Sequence, residues 1–131
     1  MADLKENGCA LLSSTASVDL NNASDTYCYE VPAGKKCVVH YVVIRNLSAD
    51  ADACIVDLGQ SGTMDDFLST QAIGTNLDGA GKAGILMPIP HATTVGIVEY
   101  TAGEIFVIDV TTLAGGACTC TVDVYGSLAD A

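Results

Sequence analysis

The sequence predicts an all-β protein, a single antiparallel β-sandwich of about eight strands with a jelly-roll-like arrangement. Three observations point there. Apolar residues recur with period two in short runs, and Gly, Pro, Asn and Asp clusters interrupt those runs at intervals of about ten residues. A small turn ending in Ala-Gly occurs twice, as Val31-Pro32-Ala33-Gly34 and Tyr100-Thr101-Ala102-Gly103, each time launching a long β-branched run. With 131 residues, half of them hydrophobic, the chain is long enough for one two-layer core without metal or disulfide support.

Taken in order, the expected strands are Cys9 to Ser17, Thr26 to Val31, Lys36 to Asn46, Ala53 to Gly59, Lys82 to Pro88, Thr93 to Tyr100, Glu104 to Leu113 and Ala117 to Tyr125. Residues 1–20 are expected to form an N-terminal arm to the domain, which spans 1–131. A polar leader such as Asp3 to Asn7 frays unless something holds it, which makes Leu4, Leu11 and Leu12 candidate partner contacts. Thr63-Met64-Asp65-Asp66 has the form of a capping box, with Asp66 in place of the usual Glu, and predicts a short helix near residues 64–69. The Gly-rich stretch from Gly74 to Gly84 reads as a loop long enough to carry contacts.

In a strand, Cys118 and Cys120 share a face with Val122 and Val124, while Thr119, Thr121 and Asp123 take the other. Six cysteines would suit a disulfide framework in an oxidising compartment. The start, however, lacks the apolar core of a secretory signal, so synthesis and use without export are expected, with the thiols as small buried hydrophobes. No pair has the two-residue spacing of a zinc site, and no metal or other cofactor is expected. His40, alternating with Val38, Val42 and Ile44, is expected to be buried or at an interface, and His91 stands beside Pro90.

Charge narrows the function classes. Sixteen acidic residues against five basic ones give a formal net charge of −11, which repels phosphate backbones and anionic membrane surfaces. Neither nucleic acid nor membrane is an expected partner, and no apolar stretch approaches the roughly 20 residues that span a bilayer. Few charges and a mean hydropathy of +0.39 suggest that some apolar surface meets a partner.

Three motifs look chemical and fail in context. Gly79-Ala80-Gly81-Lys82-Ala83-Gly84 matches a dinucleotide fingerprint, but Pro88 and Pro90 forbid the helix whose N-terminus would hold the pyrophosphate. A Walker loop fails at Asn76 and Ala83. Asp50-Ala51-Asp52 begins like a calcium loop and loses it at Cys54 and Ile55. No cluster nominates a nucleophile, acid or base, and no enzymatic activity is expected. A sugar site would want an aromatic platform. Tyr27 and Tyr29, expected on one strand face, are the best pair in a chain with five Tyr, two Phe and no Trp, and they double as candidate interface residues.

The turn Val31-Pro32-Ala33-Gly34-Lys35-Lys36, the segment Asn46 to Ala51, and the strand that opens at Ala102-Gly103-Glu104 with the ending Val122-Asp123-Val124-Tyr125-Gly126 resemble the small β-sandwich virion proteins of tailed bacteriophages, over roughly residues 25 to 126. The resemblance implies a head decoration, or cement, protein that bridges neighbouring capsomers of the major capsid protein on the outer capsid surface. It also implies self-association, as a trimer, and synthesis in the host cytoplasm. The six cysteines and the lack of a long disordered arm depart from that pattern. A tail- or fibre-associated virion module and a soluble carbohydrate-binding or host-recognition module are the alternatives.

Overall fold

A computed structural model describes residues 8–88 and 99–131. Among the described residues nine strands make up two antiparallel sheets: β1 (Ala10–Asp19), β2 (Asp25–Glu30), β3 (Lys35–Arg45), β4 (Ile55–Gln60), β5 (Thr63–Ala72), β6 (Gly84–Leu86), β7 (Glu99–Thr101), β8 (Ile105–Thr112) and β9 (Thr119–Asp130). Sheet A runs β1-β9-β3-β6, with β7 also on β3, and sheet B runs β2-β8-β4-β5. The all-β sandwich expectation holds. Each expected strand has a counterpart, although residues 93–98 lie outside the described residues.

The ninth strand corrects the helix. Residues 64–69 belong to β5, which follows β4 through a tight turn with Gly62 at φ 97°. The polar spacing that resembles a capping box serves a bulged strand instead. Asp66 accepts the N–H of Gln60, upstream of the supposed cap, and Phe67 enters the core. Pairing with β4 slips twice along this stretch. At one slip Thr70 takes φ 53°, and its N–H donates to the Asp57 carboxylate at 2.6 Å. Within the stretch expected as an N-terminal arm, residues 10–19 form strand β1, paired with β9.

The twin Ala-Gly turns become neighbours in space. In each, the residue after Gly donates back across a four-residue turn, Lys35 to Pro32 and Glu104 to Thr101. Gly34 and Gly103 supply the positive φ, 76° and 86°, that the third position of a type II turn requires. The turns then bond to each other: Val31 N–H donates to the Glu104 carbonyl at 3.0 Å, and Gly103 N–H to the Val31 carbonyl at 2.9 Å. One carries the chain from sheet B to sheet A and the other carries it back.

Between the sheets lies a core that includes Val39, Val42, Ile44, Val122 and Val124 from sheet A and Val56, Leu58, Phe106, Ile108 and Val110 from sheet B. Cys118 and Cys120 face inward with Val122 and Val124, as expected. His40 does not. The pairing of β3 with β9 shifts register between Val39 and Tyr41, so the inward positions are Cys37 and Val39 before the shift and Val42 and Ile44 after it. The extra residue, His40, is pushed out to solvent, where Nε2 lies 3.2 Å from Ser127 Oγ. Gly126 makes room, since a Cβ there would collide with the Val38 carbonyl oxygen and come within 2.9 Å of Leu12 Cδ1. Gly126→Ala is expected to cost about 1–3 kcal/mol of unfolding free energy by overpacking this crossing, measurable in a urea titration.

Candidate assembly surfaces

Of the five residues singled out in the sequence, the four that the structure describes do not converge. Leu4 lies outside the described residues. Leu11 is 51% exposed on the outer face of sheet A, opposite Tyr125, whereas Leu12, the extra residue at a bulge in β1, packs against the core. Tyr27 and Tyr29 do not share a face. A register shift between them in the β2–β8 pair leaves Tyr27 60% exposed and turns Tyr29 against the core. A bulge defeats period-two alternation because its extra residue restarts the count. The pair on which a sugar platform would rest is therefore separated.

The outer face of sheet A carries an aromatic pair that alternation alone missed. Tyr41 and Tyr125 stand directly opposite on β3 and β9, stacked with ring centroids 4.9 Å apart. Beside them Asp123, almost fully buried, accepts Ser14 Oγ–H at 2.6 Å and Arg45 Nε–H at 2.7 Å. Burial acts to raise that carboxyl, but the Arg45 and Ser14 bonds outweigh it and hold it below the usual carboxylate range. Ile85 on β6, opposite Val43, is 62% exposed, and Met87 just beyond is 48% exposed.

Sheet B is electrically different. Its strands carry Asp25, Glu30, Asp57, Asp65, Asp66 and Asp109 and no lysine or arginine. Asp25, Asp109 and Asp57 lie abreast on β2, β8 and β4. Partial burial, then the neighbouring Asp57 and Asp25, push the Asp109 carboxyl above its ordinary range. Asp66 is the buried exception on this sheet: it accepts the Tyr100 hydroxyl at 2.9 Å besides the Gln60 amide, which ties β5 of one sheet to β7 of the other. Burial raises both groups. Tyr100 and Phe67 both pack edge-on against Phe106 around that bond.

Between the edge strands β5 and β6 a groove of about 230 Å³ is lined by residues including Ile73, Asn76, Leu77 and Ile85. The loop from Gly74 to Gly84 is pinned: Ala51 N–H donates to the Leu77 carbonyl and Gly81 N–H to the Leu47 carbonyl. Five cysteines are buried and Cys9 is exposed, and none of the six is joined in a disulfide. Burial pushes the Cys28, Cys37 and Cys54 thiols up to about 11 and Cys120 up to about 12, so they are protonated at neutral pH and poor nucleophiles. Among the described residues no group of three His, Cys, Asp or Glu is placed to hold a metal ion. His91 lies outside the described residues.

With this geometry in place, the chain is similar in fold to a solved structure. A chain of the cyanophage Pam1 capsid asymmetric unit superimposes with a TM-score of 0.51 at 18% identity, over 92% of this chain and 84% of that one. No protein-family model and no curated protein matches the sequence. The shared feature is the sandwich itself, followed through nearly the whole length of both chains.

Tyr100→Phe removes one of two donors from a buried carboxylate and is expected to lower stability by about 1–3 kcal/mol, read from chemical denaturation. For Asp109 the sign is opposite. A carboxyl raised in the folded state holds its proton more tightly there than in the unfolded chain, so stability falls as pH rises out of the carboxylate range. Asp109→Asn is therefore expected to stabilise the protein at pH 7 by about 0.5 kcal/mol, the scale of a like-charge cross-strand pair. The gain should shrink toward pH 4 in thermal melts.

Proposed function

We propose that the protein is a structural component of a bacteriophage virion that docks on the capsid shell and stabilises it by bridging neighbouring capsomers. The observation that carries this is the fold likeness to a capsid chain over nearly the whole of both proteins, which coincides with the resemblance of the turn and strand motifs to phage virion sandwiches. The distribution of chemistry supports it. Thiols lie in the core, and the two carboxylates buried among the described residues, Asp66 and Asp123, are spent on bonds that join strands and sheets. Such a protein performs no reaction; its strength comes from weak contacts repeated over a lattice.

A formal charge of −11 favours the outer surface, away from packaged DNA, and keeps the free protein soluble in the host cytoplasm before docking. The major capsid protein is the partner on this reading, with copies grouped in threes on the shell, as the motif resemblance implies. Purified protein mixed with expanded shells that lack it is expected to co-sediment to a saturable stoichiometry and to raise the temperature at which the shells rupture. Binding that never saturates, or shells whose rupture is unchanged at saturation, would refute the proposal.

A further inference from the structure

Among the described residues, the large hydrophobic side chains left exposed are Leu11, Tyr27, Ile85, Met87 and Leu113, and their placement is uneven. Leu11 and Ile85 both project from the outer face of sheet A, and Met87 follows Ile85 one position past the end of β6. Strand register sets them in a pattern. Leu11 stands opposite Tyr125, and Tyr125 opposite Tyr41. One step along, Ser14 stands opposite Asp123, Asp123 opposite Val43, and Val43 opposite Ile85. Leu11, Tyr125, Tyr41, Val43 and Ile85 thus trace a diagonal apolar and aromatic band from one edge strand to the other, with Ser14 and Asp123 interleaved. The charges within it, Arg45 and Asp123, are already paired with each other, so covering the band would leave no uncompensated ion.

We infer that this face is a self-complementary docking surface whose occupant is a second copy of the same chain, packed sheet A against sheet A. Charge selects that occupant. A chain with eleven excess negative charges repels its own kind wherever acidic faces meet, but here sheet B carries carboxylates without a single cation while sheet A also bears Lys35, Lys36 and Arg45. Two copies stacked through sheet A hold their acidic sheets about 30 Å apart, three sheet spacings of about 10 Å. That is several times the screening length of about 8 Å at physiological ionic strength.

Area sets the strength. About eight residues from each of the long strands β1, β9 and β3 and the three residues of β6, at about 3.3 Å per residue and about 4.8 Å between strands, give a footprint of roughly 430 Å² per copy. A pair buries about 860 Å², the size of a weak and reversible contact rather than an obligate dimer. Because the contact is isologous it closes at two copies. It therefore describes the free protein in solution and is separate from any grouping in threes on a shell; it does not rest on the capsid proposal.

Sedimentation velocity of the full chain from about 1 µM to about 1 mM, the concentration span that covers weak association, tests it. A monomer–dimer equilibrium is expected. Leu11→Lys and Ile85→Lys, both at exposed positions, should each raise the dimer dissociation constant at least about tenfold without moving the thermal midpoint, whereas Tyr27→Lys on sheet B should leave it unchanged. Amide exchange of the unsubstituted protein gives a second readout, with β1 and β6 gaining protection as concentration rises. A monomer throughout the range, a dimer indifferent to both sheet A variants, or assembly that closes at three would overturn the inference. So would a monomer whose shell binding is lost in the sheet A variants, which would assign the face to the shell protein instead.

Discussion

The pairing of β3 with β9 is the constraint on which sheet A depends. Both strands are long, both are central, and one face of each must enter the core while the other carries the Arg45–Asp123 pair and the Ser14–Asp123 bond. A strict two-residue alternation cannot be kept along the whole pair, and the register shift at His40 restores it. Gly126 permits that shift, because no residue with a Cβ fits against the Val38 carbonyl. The consequences reach outward. Val42, Ile44, Val122 and Val124 fall on the buried side, and Tyr41, Tyr125, Arg45 and Asp123 are brought together on the other.

The two sheets are held together by more than apolar contact. The paired Ala-Gly turns bond to one another where the chain changes sheets, and the Tyr100 hydroxyl reaches Asp66 across the interior. A buried carboxylate without donors would cost several kcal/mol. With the Tyr100 hydroxyl and the Gln60 amide both donating, it becomes a directional link that fixes how β5 and β7 sit relative to one another. In the acidic row on sheet B, Asp57 accepts the Thr70 N–H, but the strands of that sheet carry no cation to offset the charges. Their repulsion is tolerated because the carboxylates there reach solvent, and because attraction on that layer comes from the apolar side facing inward.

This partition bears on function. One face is acidic and strongly hydrated, the other is nearly neutral and partly apolar, and the core is filled with protonated thiols and branched aliphatics. A sandwich built this way is suited to being placed between other surfaces. The proposed virion role and the proposed pairing of free copies both use that asymmetry, through different contacts and with different tests. Neither draws on the thiols or on His40.

Strand positions, the inward set of β9 and the strong acidity were legible in the sequence because alternation, turn residues and charge are local properties. The Ala-Gly echo was legible as a repeat. That the two turns touch was not, since contact between Val31 and Gly103 is a matter of how the sheets close. What alternation could not reveal were the bulges. Each extra residue flips all that follows, which is why Tyr29 turned inward and His40 turned outward. The supposed helix failed for a related reason: Thr63 and Asp66 have the spacing of a cap, but Phe67 gains more by entering the core from a strand, where Asp66 finds its donors in Gln60 and Tyr100. Composition and spacing thus determined the class of the fold and the sign of its field. Only tertiary packing decided which side chains share a face, because that depends on where glycine lets a strand slip against its neighbour.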